Sequence, residues 1–448
     1  MWRYADLVLG SVAISLLYYG LLKWRKRSNL PLPPGPKGAP LVGNLFQIPR
    51  EEGWKKYHEW CKEYNTDLLY LNLAGTDFVV LDTSKAATDL LENRSSLYSG
   101  RAYMPMVEEL MGWDFNFGIM TYVHAIRRKH RQVAHHSLHP VAIKEYWPQM
   151  IRSTRTFLKR LLDDPDPLNI ILHLRHLAGE TILSIAYGIP IQEENDPYLE
   201  ISRESGKATA SVVSTCLQKV TVGKEDDAFT EEVIQNVAGT LFATGSDSTV
   251  SVIASCILGL LEHPEVLKKA QAQVDSVVDP GHLPEFEHES SLPYITAIIY
   301  ETLRWRDVAP IAVPHLLSTD DEYEGYRFPA GTVIIPNAWQ VFQAMLHDET
   351  VYPDPFNFNP DRFINAETGQ VDFARERDPS HACWGFGRRV CPGRHMALSA
   401  IWLAVASLVS VFDIEKAKEK VRVVEDGIER EEERTVELTH EYISDLIL

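Results

Sequence analysis

The sequence predicts a mainly α-helical fold with a smaller β region. Long apolar and amphipathic stretches of helical period make up most of the chain, and strand-like segments are few and short. Residues 323–337 are predicted to form a hairpin, with Pro329 and Gly331 in its turn. The 448 residues, 45% of them hydrophobic, suffice for one large domain or two ordinary ones. A formal net charge of −18 argues against a nucleic-acid-binding protein.

The N-terminus carries an uncharged apolar run at residues 7–22, followed by the basic sequence KWRKR. The run is slightly shorter than the roughly 20 residues of a standard membrane span. Because the basic excess follows the run, the positive-inside rule predicts a cytosolic location for the rest of the chain. We therefore expect residues 1–28 to form a membrane anchor, with a buried N-terminal helix as the alternative. The proline-rich residues 29–40 are expected to form an extended hinge, and residues 41–448 the main domain.

The five cysteines, an odd number without a C-x-x-C pair, suggest neither a disulfide framework nor a zinc site. Reduced cysteines are typical of a cytosol-facing domain. Cys391 differs from the other four because it stands in the sequence WGFGRRVCPGRH. A helix predicted to begin at Pro392 would place Cys391 at a helix N-terminus, where the dipole lowers the pKa of a thiol. A buried structural cysteine is the alternative.

The residues around Cys391 favour a flat, anionic ligand. Gly387 and Gly393 remove side chains where such a ligand could lie against the backbone. Arg388 and Arg389 could neutralise its anionic groups. Together these features describe a thiolate presented to an iron porphyrin whose propionates need cations.

This loop resembles the haem-binding loop of the cytochrome P450 family. The family pattern F-x-x-G-x-R-x-C-x-G is matched throughout, except that Trp384 replaces Phe. The resemblance spans residues 31–415 and is closest to the fungal microsomal branch. It implies the P450 fold with haem b as cofactor, Cys391 as the axial thiolate ligand of the iron and Arg389 as a partner of a propionate. An axial thiolate donates electron density that favours cleavage of the O–O bond.

Two further segments match charged motifs of the family. YETLRWR contains Glu301 and Arg304, the family's E-x-x-R, and NPDRF contributes Arg362. Alone, the first two would form a solvated i,i+3 pair worth about 0.2–0.5 kcal/mol. The resemblance implies instead a charge network of all three residues behind the haem, in which each buried member needs the others.

The sequence LFATGSDSTV, at residues 241–250, lies in a helix predicted from about Thr230 to Glu262. Glycine and short polar residues are unfavourable in the middle of a helix. Their presence here predicts a local distortion of the helix that serves a function. The resemblance implies an oxygen-binding groove here. In it, Asp247 and Ser248 deliver protons and Thr249 supports them. A polar patch on an ordinary helix is the alternative.

Basic residues elsewhere in the chain resemble those with which the family contacts haem and a redox partner. His315 and His130 resemble propionate partners, although Ile126 stands where the family has Trp before the second of them. A basic cluster is expected to dock an acidic NADPH–cytochrome P450 reductase, and a solvated helix face is the alternative. The cluster consists of Arg127, Arg128, Lys129 and Arg131.

The resemblance also implies a substrate pocket walled by residues 103–120 and 308–315, for which core packing is the alternative. Only about 40 residues separate AYGIPIQ from Thr230, where the family has two helices and a long loop as a substrate lid. We therefore expect a shortened lid (F–G) region at 189–229.

The expected function is insertion of one atom of O2 into a lipophilic small molecule, in a protein anchored by one span in the endoplasmic reticulum membrane. One alternative is a non-catalytic or impaired haem-binding membrane protein with an incomplete lid. Another is a haem-thiolate isomerase or peroxygenase, against which Asp247 and Ser248 argue.

Overall fold

The computed structural model describes residues 30–120, 125–189, 210–221, 229–306, 308, 312–338, 341, 345–416, 418–425 and 428–435. It confirms the mainly helical architecture with a smaller β region. The predicted anchor at 1–28 and most of the segment 189–229 lie outside the described residues. The α-helices are, in chain order, α1 (Gly53–Glu63), α2 (Ser84–Ala87), α3 (Ser95–Tyr98), α4 (Ala125–Leu138), α5 (Trp147–Asp163), α6 (Ile170–Tyr187), α7 (Val212–Thr221), α8 (Glu231–Glu262), α9 (Pro264–Val277), α10 (Pro293–Trp305), α11 (Ser380–Cys383) and α12 (Arg394–Val411).

The strands of the described residues form one four-stranded sheet and two hairpins. The sheet has the order β1-β2-β6-β3, in which β1 pairs antiparallel with β2, β2 parallel with β6, and β6 antiparallel with β3. The hairpins are β4–β5 and β7–β8. The strands are β1 (Leu68–Leu73), β2 (Thr76–Leu81), β3 (His315–Leu316), β4 (Asp321–Tyr323), β5 (Tyr326–Phe328), β6 (Val333–Pro336), β7 (Lys418–Glu425) and β8 (Ile428–Thr435).

The turn of the hairpin predicted at 323–337 was assigned to the wrong residues. The chain reverses between β4 and β5 at Glu324 and Gly325, which both have positive φ, at 50° and 78°. Pro329 and Gly331 instead join β5 to β6, which belongs to the four-stranded sheet. The proline and glycine therefore mark a crossover between two sheets.

A bundle of α5, α6, α8 and α12 contains most of the main hydrophobic core. Aromatic rings extend the packing around it: Phe286 stacks on Trp147 of α5 at 4.4 Å between ring centroids and lies 6.1 Å from Trp402 of α12. Such pairs contribute about 0.5–1.5 kcal/mol beyond the apolar area that they bury. The bundle thus holds α8 and α12 side by side, and these two helices position the candidate site.

The long helix predicted from Thr230 to Glu262 is confirmed as α8. The hydroxyl of Thr230 caps it by accepting a hydrogen bond of 3.3 Å from the backbone N–H of Val233. Glu231 and Glu232 in the first turn complement the positive end of the helix dipole. Its 32 residues reach about 48 Å at 1.5 Å per residue, long enough to cross the domain.

Helix α12 begins at Arg394, so the predicted start at Pro392 is wrong. Pro392 and Gly393 form a turn between Cys391 and the first helical residue. Both α8 and α12 are long and apolar enough to cross a membrane. This is weak evidence for membrane association, because about half of each apolar stretch is buried inside the domain.

Part of the predicted hinge lies against the domain. The carbonyl of Pro31 accepts a hydrogen bond of 2.9 Å from the N–H of Arg327, and that of Pro34 accepts one of 2.8 Å from Tyr70. A Cβ at Gly35 would lie 2.0 Å from the Tyr70 carbonyl oxygen. Glycine is therefore required where this extended segment meets β1.

Candidate active site

The loop that carries Cys391 folds back on itself through backbone hydrogen bonds. The N–H of Cys391 donates to the carbonyl of Trp384 at 2.8 Å, and the N–H of Arg389 donates to that of Phe386 at 3.0 Å. The thiol sulfur accepts hydrogen bonds from the backbone N–H groups that follow it, at Gly393 and Arg394. The loop thus aims the first free N–H groups of α12 at the sulfur, as a helix N-terminus does for an anion.

The net effect on the thiol differs from the prediction. Burial raises the pKa of Cys391, and the N–H groups of Gly393 and Arg394 together with the guanidinium groups of Arg131 and Arg394 oppose it without cancelling it. The predicted lowering of the pKa is therefore wrong for the chain by itself, because desolvation outweighs the dipole. A metal ion bound to the sulfur would displace the proton.

The two predicted ligand-facing glycines have different surroundings. Gly387 has a φ of 50°, and a Cβ there would lie 2.6 Å from the carbonyl oxygen of Leu91 and 2.7 Å from Cβ of Ser95. Its small size is therefore required by a contact within the protein. Near Gly393 a Cβ would meet only the sulfur of Cys391, at 3.9 Å, so this glycine leaves space beside the sulfur.

Two guanidinium groups, of buried Arg101 and half-buried Arg389, converge on one carbonyl near this loop. Arg389 donates to Ser99 O at 2.9 Å, to Met120 O at 2.7 Å and to Gly118 O at 3.3 Å. Arg101, which is 6% exposed, donates to the same Gly118 oxygen at 3.0 Å and to two carbonyls before β3. Like charges this close favour an anion beside them. Arg101 was not predicted from the sequence, because it follows the short helix α3 without a recognised motif.

His315 lies beside these cations. Its Nδ1–H donates to the Tyr98 carbonyl at 2.7 Å, and the residue is 4% exposed. Burial lowers the pKa of His315 to about 3, and the positive charges of Arg101 and Arg389 add to the effect. The structure thus brings His315 and Arg389 together, as predicted from separate segments of the sequence.

His130 reaches the same region from α4. It is fully buried, and its ring lies 6.3 Å from that of Phe117, measured between centroids. The carbonyl of Phe117 is in turn within 3.4 Å of Arg389 Nη1. Residues 117–120 therefore connect His130 to the two guanidinium groups.

The donor set fits a haem. Cys391 offers one sulfur ligand for an iron ion, with space beside it at Gly393. Arg101, Arg389 and His315 form a basic cluster matched to a dicarboxylate such as the two propionates.

Helix α8 carries a row of hydroxyl groups on one face. Thr240, Thr244 and Ser248 are four residues apart, and each hydroxyl donates to the carbonyl four residues earlier, at 2.8, 2.8 and 3.2 Å. The hydroxyl of Thr249 does the same to Gly245 O at 2.9 Å. The helix is unbroken from Glu231 to Glu262, so the predicted distortion is limited to these side-chain bonds, which bend helices slightly. Thr240 and Thr244 were missed, although a four-residue spacing of hydroxyls was visible.

Asp247, Ser248 and Thr249 point in different directions. Thr249 lines a small cavity with Gly245 of the same helix and with Met396 and Ala400 of α12. At about 100° per residue, Asp247 lies on the far side of the helix from Thr249, with Ser248 between them. The structure thus brings Thr249 to the helix that follows Cys391, and leaves Asp247 and Ser248 half-buried on other faces.

The predicted charge network is assembled and buried. Glu301 and Arg304 are both 0% exposed and form two parallel hydrogen bonds of 2.7 Å, so the solvated alternative is wrong. Arg362 joins them at 3.1 Å from Glu301. A fourth member, Glu376, was missed; its carboxylate lies 3.0 Å from Arg362, and burial raises its pKa against that opposing charge.

The predicted reductase-docking cluster is not one continuous surface. The side chain of Arg127 lies outside the described residues, Arg128 is exposed and Lys129 is half-buried. Arg131 turns inward instead, and its Nη2 donates to the carbonyl of Val390 at 3.0 Å. Two of the three described members thus remain for a surface role.

The predicted pocket walls are partly core and partly surface. Phe117 and Ile119 are buried, whereas Met106, Leu110 and Met111 are 58–75% exposed. The wall predicted at 308–315 lies partly outside the described residues. In the segment 103–120, core packing therefore describes the end, which is buried, and does not describe the beginning, which is exposed.

Comparison with known proteins gives one consistent family. The cytochrome P450 family model matches residues 33–211 and 200–431. Cytochrome P450 monooxygenase 98 of Postia placenta is 37% identical, with 94% of this chain and 90% of the relative covered. Tryptamine 4-monooxygenase of Psilocybe cyanescens is 34% identical, with 92% and 91% covered. Cytochrome P450 monooxygenase ple1 of Rhodocybe pseudopiperita is 33% identical, with 96% and 89% covered.

The comparisons also bear on chain length. The family match is divided in two, and its parts meet at residues 200–211, inside the segment expected to be a shortened lid. The alignment with the Postia protein covers 484 positions, more than the 448 residues of this chain. The relative therefore contributes residues that have no counterpart here.

Glu301→Gln should lower the free energy of unfolding by about 3–5 kcal/mol, because Arg304 and Arg362 would keep buried charges with less compensation. Urea denaturation of the cofactor-free protein measures this. Glu59→Gln removes one partner of the exposed i,i+3 pair with Lys56 and should leave stability unchanged. Equal stabilities of the two variants would contradict the network's role.

The stability of the cofactor-free protein should fall as the pH falls from 6.5 toward 3. In that window the unfolded chain protonates His315 and the folded chain does not, since the folded pKa is about 3, so folding stability rises with pH. One such group contributes a slope of about 1.4 kcal/mol per pH unit. His315→Asn should reduce the slope of unfolding free energy against pH, whereas exposed His282→Asn should not. An unchanged slope in the His315 variant would refute this.

Proposed function

Because this chain belongs to the cytochrome P450 family and is a monooxygenase, an oxidoreductase, we propose that it binds haem b through Cys391 and oxygenates a lipophilic small molecule. Enzymes of this class use O2, a redox partner and a small-molecule substrate. The observation that carries the proposal is the folded-back Cys391 loop, which Arg131 contacts at Val390 O and where the N–H groups of Gly393 and Arg394 lower the thiol pKa against burial. When bound, the haem would supply oxygen activation, which the electron density of the Cys391 thiolate would favour.

The basic residues would hold the cofactor by its carboxylates. Arg101 and Arg389 already point at one carbonyl oxygen, that of Gly118, and would present further N–H donors to propionates. His315 donates from Nδ1 to Tyr98, which fixes the orientation of its ring and leaves Nε2 for the ligand side. His130, buried against Phe117, completes this wall.

We infer that Asp247 and Ser248 serve proton delivery, with Thr249 in support. A carboxylate and hydroxyls within hydrogen-bond reach of one another, directly or through one water, can pass protons in order. Ser248 stands at the end of a row of hydroxyls that begins at Thr240. Thr249 faces the cavity toward α12 and would support the backbone of this turn rather than the transfer itself.

The electrons would come from NADPH–cytochrome P450 reductase, docked through exposed Arg128 and its half-buried neighbour Lys129. We propose that residues 1–28 anchor the protein in the endoplasmic reticulum membrane as a single span, with the catalytic domain in the cytosol. The apolar run and the basic residues after it support this orientation. The setting that we propose is secondary metabolism.

A second candidate is an impaired haem-binding protein with an incomplete substrate lid. The division of the family match at residues 200–211 favours it, as does the greater length of the Postia alignment. A pocket that encloses less of its ligand binds more weakly and admits water to the reacting groups. The haem contacts named above lie outside that segment, so both candidates share the same cofactor site.

Cys391→Ser should abolish the thiolate-type Soret band in the carbon monoxide difference spectrum of the reduced protein, because it removes the axial sulfur. Cys383→Ser is the matched control: its sulfur donates to Pro379 O at 3.0 Å, a contact within the fold. Loss of the band in the Cys383 variant alone would show that the ligand has been assigned to the wrong cysteine.

Asp247→Asn should leave the Soret band intact and lower turnover about 10²-fold or more, with reduced oxygen diverted to peroxide. Substrate oxidation, NADPH consumption and peroxide are measured together with reductase. Asp275→Asn, exposed on α9, is the control. Unchanged coupling in the Asp247 variant would refute the proton-delivery role. Peroxide formation without product in the unaltered protein would favour the second candidate.

A further inference from the structure

Arg131 links helix α4 to the cysteine loop. Its Nη2 donates to the carbonyl of Val390, the residue directly before Cys391, at 3.0 Å. The side chain is partly buried, unlike that of Arg128 one turn earlier, which is exposed. The last residue of the predicted basic cluster thus points toward the loop that carries the sulfur instead of toward solvent.

Other groups face the sulfur from neighbouring elements. Arg394, the first residue of α12, interacts electrostatically with both Cys391 and Arg131. The backbone N–H groups of Gly393 and Arg394 donate to the sulfur. Arg131 is therefore the contribution of α4 to a positive environment to which Arg394 of α12 also contributes. A guanidinium remains charged in proteins, so this contribution is permanent.

We propose that Arg131 is a positioning residue for the axial cysteine, which orients the loop through the Val390 carbonyl and raises the reduction potential of the bound iron by its charge. The inference rests on the proposed function, since it assumes a haem on Cys391. A fixed positive charge disfavours the oxidised, more positive state of a nearby iron. At an effective dielectric constant of about 20, one charge about 12 Å away changes such an equilibrium roughly tenfold, and a closer charge changes it more.

The competing interpretation is that Arg131 docks the reductase with the rest of its cluster. The two interpretations predict different results for variants of Arg131. A docking residue acts through the KM for reductase, which depends on salt, and leaves the potential of the iron unchanged. A residue that orients the cysteine loop changes the potential and the Soret spectrum, and leaves the KM for reductase unchanged.

The experiment compares Arg131→Gln, Arg131→Lys and Arg128→Gln in the haem-loaded full-length protein. Gln can still donate a hydrogen bond but has no charge, whereas Lys keeps the charge. We expect Arg131→Gln to make one-electron reduction about tenfold less favourable, which is about 59 mV for a one-electron couple. Arg131→Lys should restore most of this shift. Arg128→Gln should raise the KM for reductase with the potential unchanged.

An unchanged potential in Arg131→Gln, together with a raised KM for reductase, would overturn the proposal in favour of docking. If Arg131→Gln takes up no haem and Arg131→Lys takes up the normal amount, the requirement for charge supports it. If neither takes up haem but both cofactor-free proteins melt like the unaltered chain, the loop-orienting role is supported. If neither folds, Arg131 is a structural residue and the proposal fails. Failure of the proposed function itself is distinct, because the unaltered protein would then lack the thiolate-type band.

Discussion

The buried carboxylate of Glu301 holds together the part of the chain that has least regular structure. Between β6 and α11 the described backbone is mostly irregular, so its carbonyl groups need other donors. Arg304 donates to the carbonyls of Leu346 and Pro355, and Arg362 donates to that of Pro353. Both guanidinium groups are themselves fixed by Glu301. One anion thus pairs with two cations, of which Arg362 also contacts Glu376, and both cations donate to carbonyls of the segment leading to the cysteine loop.

The candidate site depends on this framework for its position and on charge for its chemistry. Arg101 and Arg389 meet at one carbonyl, and Arg131 and Arg394 face the sulfur of Cys391. The protein as a whole is acidic, with a formal net charge of −18, so this concentration of cations is local. The positive charge of these groups matches the carboxylates of a haem. It also matches the negative charge that the Cys391 sulfur would carry when bound to iron.

The sequence predicted the parts of the site that have local signatures. A long helix was predicted from about Thr230 to Glu262 and is observed as α8, and Cys391, Glu301 and Arg304 stood in spaced motifs. Contacts made through backbone carbonyls have no such signature. Arg101 contacts Gly118, and Arg131 contacts Val390. These residues are far apart in the sequence, and only the fold brings them together.

Other differences arise because local rules were overridden by tertiary structure. Pro329 and Gly331 are good turn residues, but they serve a crossover, since the tighter reversal is made by Glu324 and Gly325. The strand β8 has the sequence IEREEERT and pairs with β7. Its sequence does not indicate a strand, because glutamate is depleted in strands. At Cys391 the N–H groups lower the pKa of the thiol as predicted, but burial raises it by more.

The raised pKa of the Cys391 thiol and the lowered pKa of His315 have one physical meaning. Burial disfavours the thiolate, and burial beside two guanidinium groups disfavours the imidazolium, so each group is held neutral in the chain alone. A ligand that supplies an iron cation at the sulfur and carboxylates at the basic cluster removes both penalties at once. Its binding energy then adds directly to the stability of the folded state, because the unfolded chain offers no such arrangement. The polar groups of this site are therefore arranged for a bound state, and a ligand with these charges would stabilise the fold.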